Sequence, residues 1–423
     1  PIDTPIVLAE LPDGSYSVSV LGKDSAGVWQ SPEEATTSRS WWVESVVINE
    51  IMYYPAEGGE YIELHNTGPL EIDLEAYAFT DGIEYDFQSG TVIPPGGYLV
   101  VCADLADFSA RYPGVENVVG NLSGRLDNGG ERTTLSHWNG AQWLTVDSVA
   151  YGDDAPWPEG ADGDGASLEL VNPLLDNHDP GVWAESTGSG SPGVENDAFE
   201  SAPGAVISHV LHAPALPRPN QSVLITARVN ALEPVFVSLL YRQEGLNAPP
   251  YMRLRMFDDG RHGDDAAGDG LFGRLAPGLP DGTRMDFRIE TVDANADVLS
   301  AVPEAGRTFL CPFGEDTEFT GEYFTYYLLL TEADRAELET RDVFSDVELD
   351  GTLITSDGEI FYGCGIRYRG SGARREGVNP VPDKNYRVNL PPGRTVDGLS
   401  SLNLNSDWPL NEWFGYELFR MAE

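Results

Sequence analysis

Hydrophobic and polar residues alternate with the two-residue period of β-strands over most of the chain, and the pattern changes only near residue 318. In residues 1–43, Tyr16, Val18 and Val20 alternate with small polar residues after an Asp13-Gly14 turn. The next block predicts strands at Val46–Met52, Glu60–Asn66, Ile93–Val101, Asp147–Tyr151 and Gly165–Leu170. After a short linker at 199–205, strands are expected at Val223–Val229, Val237–Arg242 and Asp286–Asp293. From about 318, helix and strand patterns mix. Thr331 caps a predicted helix running through Leu338. Strands follow around Asp346–Leu349, Ile360–Tyr368 and Tyr386–Leu390, and a second helix begins near Pro409.

The spacing divides the 423 residues into four parts. Residues 1–43 resemble the last strands of a fibronectin-type or immunoglobulin-like sandwich, too few to fold alone. Residues 44–198 and 206–310 each read as a complete β sandwich, and 318–423 as the opening of an α+β domain. Forty-six glycines and thirty prolines suit many short strands joined by tight turns.

Charge narrows the function classes. The formal net charge is −44, with a pI near 4.2. Such a field repels nucleic-acid phosphate and anionic membranes, so no nucleic-acid partner is expected. No apolar run reaches the length of a membrane span, and no direct membrane insertion is expected. Three cysteines, Cys102, Cys311 and Cys364, are too few for a disulfide framework. Cys311 and Cys364 either pair or lie as buried free thiols. Glu50, Glu60 and Glu63 form a carboxylate group along two strands, and solvation at a strand edge is the expected explanation.

Two constellations carry candidate chemistry. The loop 257–272 holds Asp258, Asp259, Asp264, Asp265 and Asp269 among glycines. Hard oxygen ligands on a tightly curved loop suit Ca²⁺, although the spacing is not that of an EF-hand; the competing reading is an Asp-Gly turn cluster, with His262 exposed. The second constellation lies between Gly365 and Thr395. Arg367, Arg369, Arg374, Arg375, Lys384, Arg387 and Arg394 outnumber Glu376 and Asp383, seven against two, a local +5. With Gly370-Ser371-Gly372 alongside, this island suits phosphate. The competing reading pairs its arginines with neighbouring acids. Lys384 is one of only two lysines, the other being Lys23. In the last predicted helix, Leu410, Phe414, Glu417, Leu418 and Met421 share one face, so Glu417 is the acid turned to the core and a candidate partner for Lys384.

Two family resemblances follow from these residues. The run from Ile48-Asn49-Glu50-Ile51 through Ile93-Pro94-Pro95-Gly96, Gly124–Glu131 and Gly165–Leu170 to Ser191-Pro192-Gly193 resembles the lamin tail domain of secreted bacterial proteins, which implies an immunoglobulin-like interaction or spacer module. Gly365–Gly372, Lys384-Asn385-Tyr386-Arg387-Val388 and Leu399–Asn405 resemble the N-terminal part of CotH kinase-like proteins, although Asn411 stands where the family's helix opens with arginine. This second resemblance implies ATP and Mg²⁺ as cofactors of the parent domain, phosphate contacts from Arg367, Arg369, Ser371, Lys384, Arg387 and Glu417, and catalytic aspartates beyond the last residue. The expected fold class is therefore mostly β multidomain: immunoglobulin-like sandwiches in series, then a truncated α+β kinase-like domain. The expected setting is extracellular or cell-surface, with a protein substrate or surface partner. The parent is expected to be an atypical Ser/Thr kinase and this stretch to be inactive. The alternative is a non-catalytic adhesin or surface structural protein, with calcium as a possible stabiliser.

Overall fold

A computed structural model of the chain describes residues 14–23, 27–31, 35–37, 41–43, 45–314, 325–369 and 385–404. It is mostly β and divides into two compact units, Pro1–Ser201 and Ala202–Glu423. At the start of the first unit, Gly14–Tyr16 pairs with Trp41–Val43 and Ser19–Val20 with Thr36–Thr37, both antiparallel.

The rest of the first unit is a two-sheet sandwich. Its larger sheet contains β1 (Val46–Met52), β2 (Tyr61–Asn66), β7 (Tyr98–Cys102), β8 (Val118–Gly120), β11 (Leu168–Leu170) and β12 (Trp183–Glu185), in the order β8-β7-β2-β1-β11-β12. The smaller contains β4 (Tyr77–Asp81), β5 (Tyr85–Asp86), β9 (Arg132–Trp138) and β10 (Trp143–Ala150), ordered β10-β9-β4-β5. The short strands β3 (Ile72–Asp73) and β6 (Val92–Ile93) pair beside them. Ile48, Ile51, Ile62, Leu64, Leu99, Leu135 and Val149 are fully buried. β1 and β2 are covered on both faces. On one face Met52, Tyr61, Val100 and Cys102 pack against Phe108 of α1 (Leu105–Arg111). The Asp104 carboxylate caps α1, accepting the Ala106 and Asp107 amides at 2.9 Å each. The sequence reading missed this helix, a single seven-residue element with one buried side chain.

The second unit opens with another sandwich. β13 (Val206–Ala213), β14 (Val223–Asn230) and β17 (Leu271–Ala276) form one sheet, ordered β13-β14-β17. β15 (Phe236–Gln243), β16 (Met252–Arg255), β18 (Arg284–Val292) and β19 (Val298–Val302) form the other, ordered β16-β15-β18-β19, with β20 (Phe309–Pro312) also on β18. Alternate residues of both sheets, Val223, Ile225 and Ala227 against Val237, Leu239, Phe287 and Ile289, fill the core.

A five-stranded antiparallel sheet follows, in the order β21 (Tyr326–Leu329), β22 (Leu349–Thr355), β23 (Ile360–Tyr368), β24 (Tyr386–Asn389) and β25 (Ser401–Leu404). α2 (Glu332–Thr340) starts at the expected cap: Thr331 Oγ1 accepts the Asp334 amide at 3.0 Å. The strand expected around 346–349 begins instead at Leu349. Asp346 and Glu348 precede it, and their carboxylates reach out to Arg367.

Sandwich and sheet in this unit are locked together. Tyr362 of β23 packs into the sandwich core, 4.6 Å from Phe309 and 5.9 Å from Phe287 between ring centroids. Its hydroxyl donates to His212 Nδ1, while His212 Nε2 donates to the Ala215 carbonyl at 3.0 Å. Glu244 Oε1 accepts the first amide of α2, from Glu332, at 2.7 Å, and Glu332 answers by accepting the Leu246 amide at 3.0 Å. Thus the predicted blocks 206–310 and 318–423 share one compact unit.

Candidate functional site

A dense, fully buried polar cluster lies inside the first sandwich. Glu169 of β11 stands opposite Glu50 of β1, and Glu50 opposite Glu63 of β2. The three carboxylates form a row across neighbouring strands, and all three residues are 0% exposed. Like charges directly opposite one another destabilise a sheet, and an ion out of water destabilises it further. The row persists because donors surround it. Glu50 Oε1 accepts from Tyr61 Oη at 2.5 Å, Ser167 Oγ at 2.5 Å and the Ser191 amide at 3.1 Å. Glu63 accepts from Asn49 Nδ2 at 3.0 Å and from the Gly193 amide. Glu169 accepts from Ser191 Oγ at 2.7 Å and the Ala198 amide at 2.8 Å. Glu50 Oε2 is buried with no hydrogen-bond partner.

Four of these donors come from one segment, residues 186–198, which crosses the row as a strap. Asn196 fastens it further, donating to the carbonyls of Asn49 at 3.1 Å and Leu170 at 2.9 Å and accepting from Asn49 at 2.7 Å. Tyr112, after α1, donates to the Ser189 carbonyl at 2.5 Å. Burial raises all three carboxyls. Glu50 is pushed up to about 7 by desolvation, against the pull of the Ser167 and Tyr61 hydrogen bonds and with the push of the Glu169 charge. Glu63 lies well above the usual carboxylate range through desolvation and the Glu50 charge, and desolvation raises Glu169.

The strand-edge solvation expected for Glu50, Glu60 and Glu63 is therefore corrected: Glu50 and Glu63 are fully enclosed and Glu60 is 7% exposed. Glu60 faces elsewhere, accepting from Arg125 Nε at 3.3 Å and the Leu126 amide at 2.9 Å. The signal was legible. Val-Val-Ile-Asn-Glu-Ile-Met and Tyr-Ile-Glu-Leu lack clean alternation, as strands buried on both faces do. A glutamate within such a run has no route to water. Glu169 was missed for the opposite reason: Ala166-Ser167-Leu168-Glu169-Leu170 alternates cleanly and reads as a half-exposed strand.

The aspartate loop of the second unit is bonded to itself. Asp264 is 6% exposed, and its carboxylate accepts the amides of Asp259, Gly260 and His262. Desolvation would raise it, but these backbone donors outweigh that and hold it below the usual carboxylate range. Asp258 accepts the amides of Gly268 at 2.6 Å, Asp269 at 3.3 Å and Gly270 at 3.1 Å. Asp269 takes those of Ala266 and Leu271 at 3.1 and 3.0 Å. Asp259 bonds the Arg261 amide and His262 Nδ1 at 3.0 and 2.9 Å. No such bond places Asp265 in this net. Among the described residues, no group of three or more His, Cys, Asp or Glu side chains is arranged to hold a metal. Replacing Asp264 by Ala leaves three amides without their acceptor, and a loss of about 2 kcal/mol is expected in urea unfolding of the full chain.

The basic island is only partly within the described residues. Ser371, Lys384 and Glu417 lie outside them, as do Arg374, Arg375 and the last predicted helix. Arg367 stands opposite Arg387 across β23 and β24, on the face away from the buried Ile366–Val388 pair. Arg367 Nη1 pairs with Asp346 at 3.0 Å and its Nε lies 3.8 Å from Glu348. Arg387 donates to Asn389 at 3.0 Å and Ser401 at 3.3 Å. Arg394 stacks on Phe361, 4.6 Å from the ring centroid. Arg369 follows β23, its amide bonded to the Asn385 carbonyl at 3.0 Å. A cleft of about 600 Å³ opens near these strands, but Asp334, Glu348 and Asp350 line it against the single cation Arg307. The three cysteines are free and buried. Desolvation pushes the Cys102 thiol up to about 11 and Cys364 to about 12, so both stay protonated and unreactive.

The sandwich that carries the carboxylate row decides the comparison. Residues 43–153 match the lamin tail domain family. The lamin-tail match contains Glu50 and Glu63, whereas Glu169 and the strap lie beyond it. No curated protein matches the chain. The first unit is thus built on an immunoglobulin-like lamin-tail sandwich, in a chain that is mostly β.

Proposed function

We propose that the chain is a scaffold of β modules in a bacterial protein of the cell surface or the extracellular space, in which the lamin-tail sandwich is the interaction or spacer module and the second sandwich rigidly carries the C-terminal sheet. One observation carries this reading: the polar clusters among the described residues are closed on themselves. The glutamate row bonds its own strap, the aspartate loop its own amides, and Arg367 its neighbouring acids. Such groups fix a fold and leave little for a substrate. The exposed Trp138–Trp143 pair on the β9–β10 hairpin, 5.5 Å apart between ring centroids, gives the lamin-tail module an apolar contact point for a protein or surface partner. Among the described residues no helix is long and apolar enough to cross a membrane. Incubation of the chain with labelled Mg·ATP and an acceptor protein is expected to give no phosphate transfer; transfer above background would remove this reading.

A second reading has its own support. The Arg367–Arg387 cross-strand pair, the local +5 and the resemblance to CotH kinase-like proteins favour a phosphate-gripping sheet in an atypical kinase. Arg367, Arg369 and Arg387 would face the nucleotide's phosphates, with Ser371, Lys384 and Glu417 completing the set. ATP and Mg²⁺ would supply the phosphoryl group and its charge neutralisation. Calcium has a separate test. The self-bonded aspartate loop predicts a melting temperature that a chelator does not move, and a chelator-dependent drop would assign the loop to the cation.

A further inference from the structure

The glutamate row poses an electrostatic problem that its hydrogen bonds do not remove. Seven donors reach the three carboxylates, yet every donor is neutral. All but one of the titratable groups facing the row from the elements packed on it are acids or phenols. Glu63 and Tyr61 come from β2, and Glu169 from β11 with Asp197 of the strap beside it. Tyr98 of β7 stands beside Glu63 and the strap's Glu195, and Tyr112 beside Tyr61. None is a cation. Three ionised carboxylates in cross-strand contact, fully enclosed and without a counter-charge, would repel one another strongly. Glu50 Oε2 is the one carboxylate oxygen of the row that no donor reaches, and so the place for a proton.

We propose that the Glu169–Glu50–Glu63 row holds at least one proton in the folded state and acts as a proton-locked latch on the strap 186–198, closed in acid and loosened by ionisation as the pH rises. The folded protein then binds more protons than the unfolded chain. Stability contributed by the latch is complete below the unfolded carboxyl value near 4.5 and falls as the pH climbs towards the folded value near 7. Between pH 4.5 and 7 the unfolding equilibrium of the lamin-tail sandwich should move by about tenfold or more through the row titrating as a unit.

The test is urea unfolding of the full chain from pH 4.5 to 7.5 in wild type, Glu50→Gln and the exposed control Glu75→Gln. Glu50→Gln should flatten the pH slope and Glu75→Gln should leave it as in wild type. Equal slopes in all three overturn the proposal. Infrared difference spectra of the wild type give a readout that does not depend on the variant folding. A protonated carboxyl band persisting at pH 6, where surface carboxylates are ionised, is expected, and its absence also overturns the latch.

Discussion

Gly190→Ala is expected to destabilise the lamin-tail sandwich by about 4 kcal/mol, enough to remove much of a single domain's stability. Gly190 sits in the strap at φ 90°, where a side chain is strained. A Cβ there would run into Tyr61 Oη and Glu50 Oε1 and crowd Ser167 Oγ at 3.1 Å. None of the three can retreat without breaking a hydrogen bond to the glutamate row. The strap would lift, and with it the Ser191, Gly193 and Ala198 donors. Gly188→Ala, two residues earlier and also at positive φ, meets nothing within 4 Å. It should cost only the backbone strain, about 1 kcal/mol. Urea unfolding of both variants separates crowding of the row from loss of glycine as such.

Tyr362→Ala carries the second large effect, about 3 kcal/mol in the second unit. The ring links β23 to the sandwich through Phe287, Phe309 and His212, so truncation leaves a hole where two sheets meet. Tyr362→Phe keeps the packing and loses only the hydroxyl bond to His212, at about 1 kcal/mol. His212 adds a pH signature. Burial lowers it to about 4, so it stays neutral in the fold, donating from Nε2 and accepting at Nδ1. The unfolded chain takes up a proton near 6.5 and the folded one does not, so stability from this contact falls as the pH drops from about 6.5 towards 4. The glutamate row predicts the opposite sign. His212→Gln should remove the acid-side loss, and circular dichroism melts at pH 5 and 7 measure it.

These contrasts show what the sequence carried and what it did not. Strand period placed β1, β2, β14, β15 and β18 within a few residues, because each alternates or runs continuously apolar between turn residues. The Thr331 cap placed α2, and the residue order named the lamin-tail block that the family match supports in part. The motif Ser191-Pro192-Gly193 was visible as an ending, but not as a strap. Its partners, Glu50 and Glu63, lie well over a hundred residues away, and no local pattern reports a contact at that range. The joining of sandwich and terminal sheet was hidden for the same reason. Tyr362 lies in a strand that reads as belonging wholly to its own sheet, yet its ring belongs to the core of another. Charge counting found the arginine island but not the acids that answer it. Asp346 and Glu348 lie some twenty residues earlier and meet Arg367 only through the β22–β23 pairing.

Hydrogen–deuterium exchange of the full chain with and without millimolar Mg·ATP tests the scaffold reading most directly. Arginines already held by Asp346, Glu348, Asn389 and Ser401 predict unchanged exchange over residues 360–369 and 385–404. Protection concentrated on the strands that bear Arg367 and Arg387 would contradict it and place a nucleotide on that sheet.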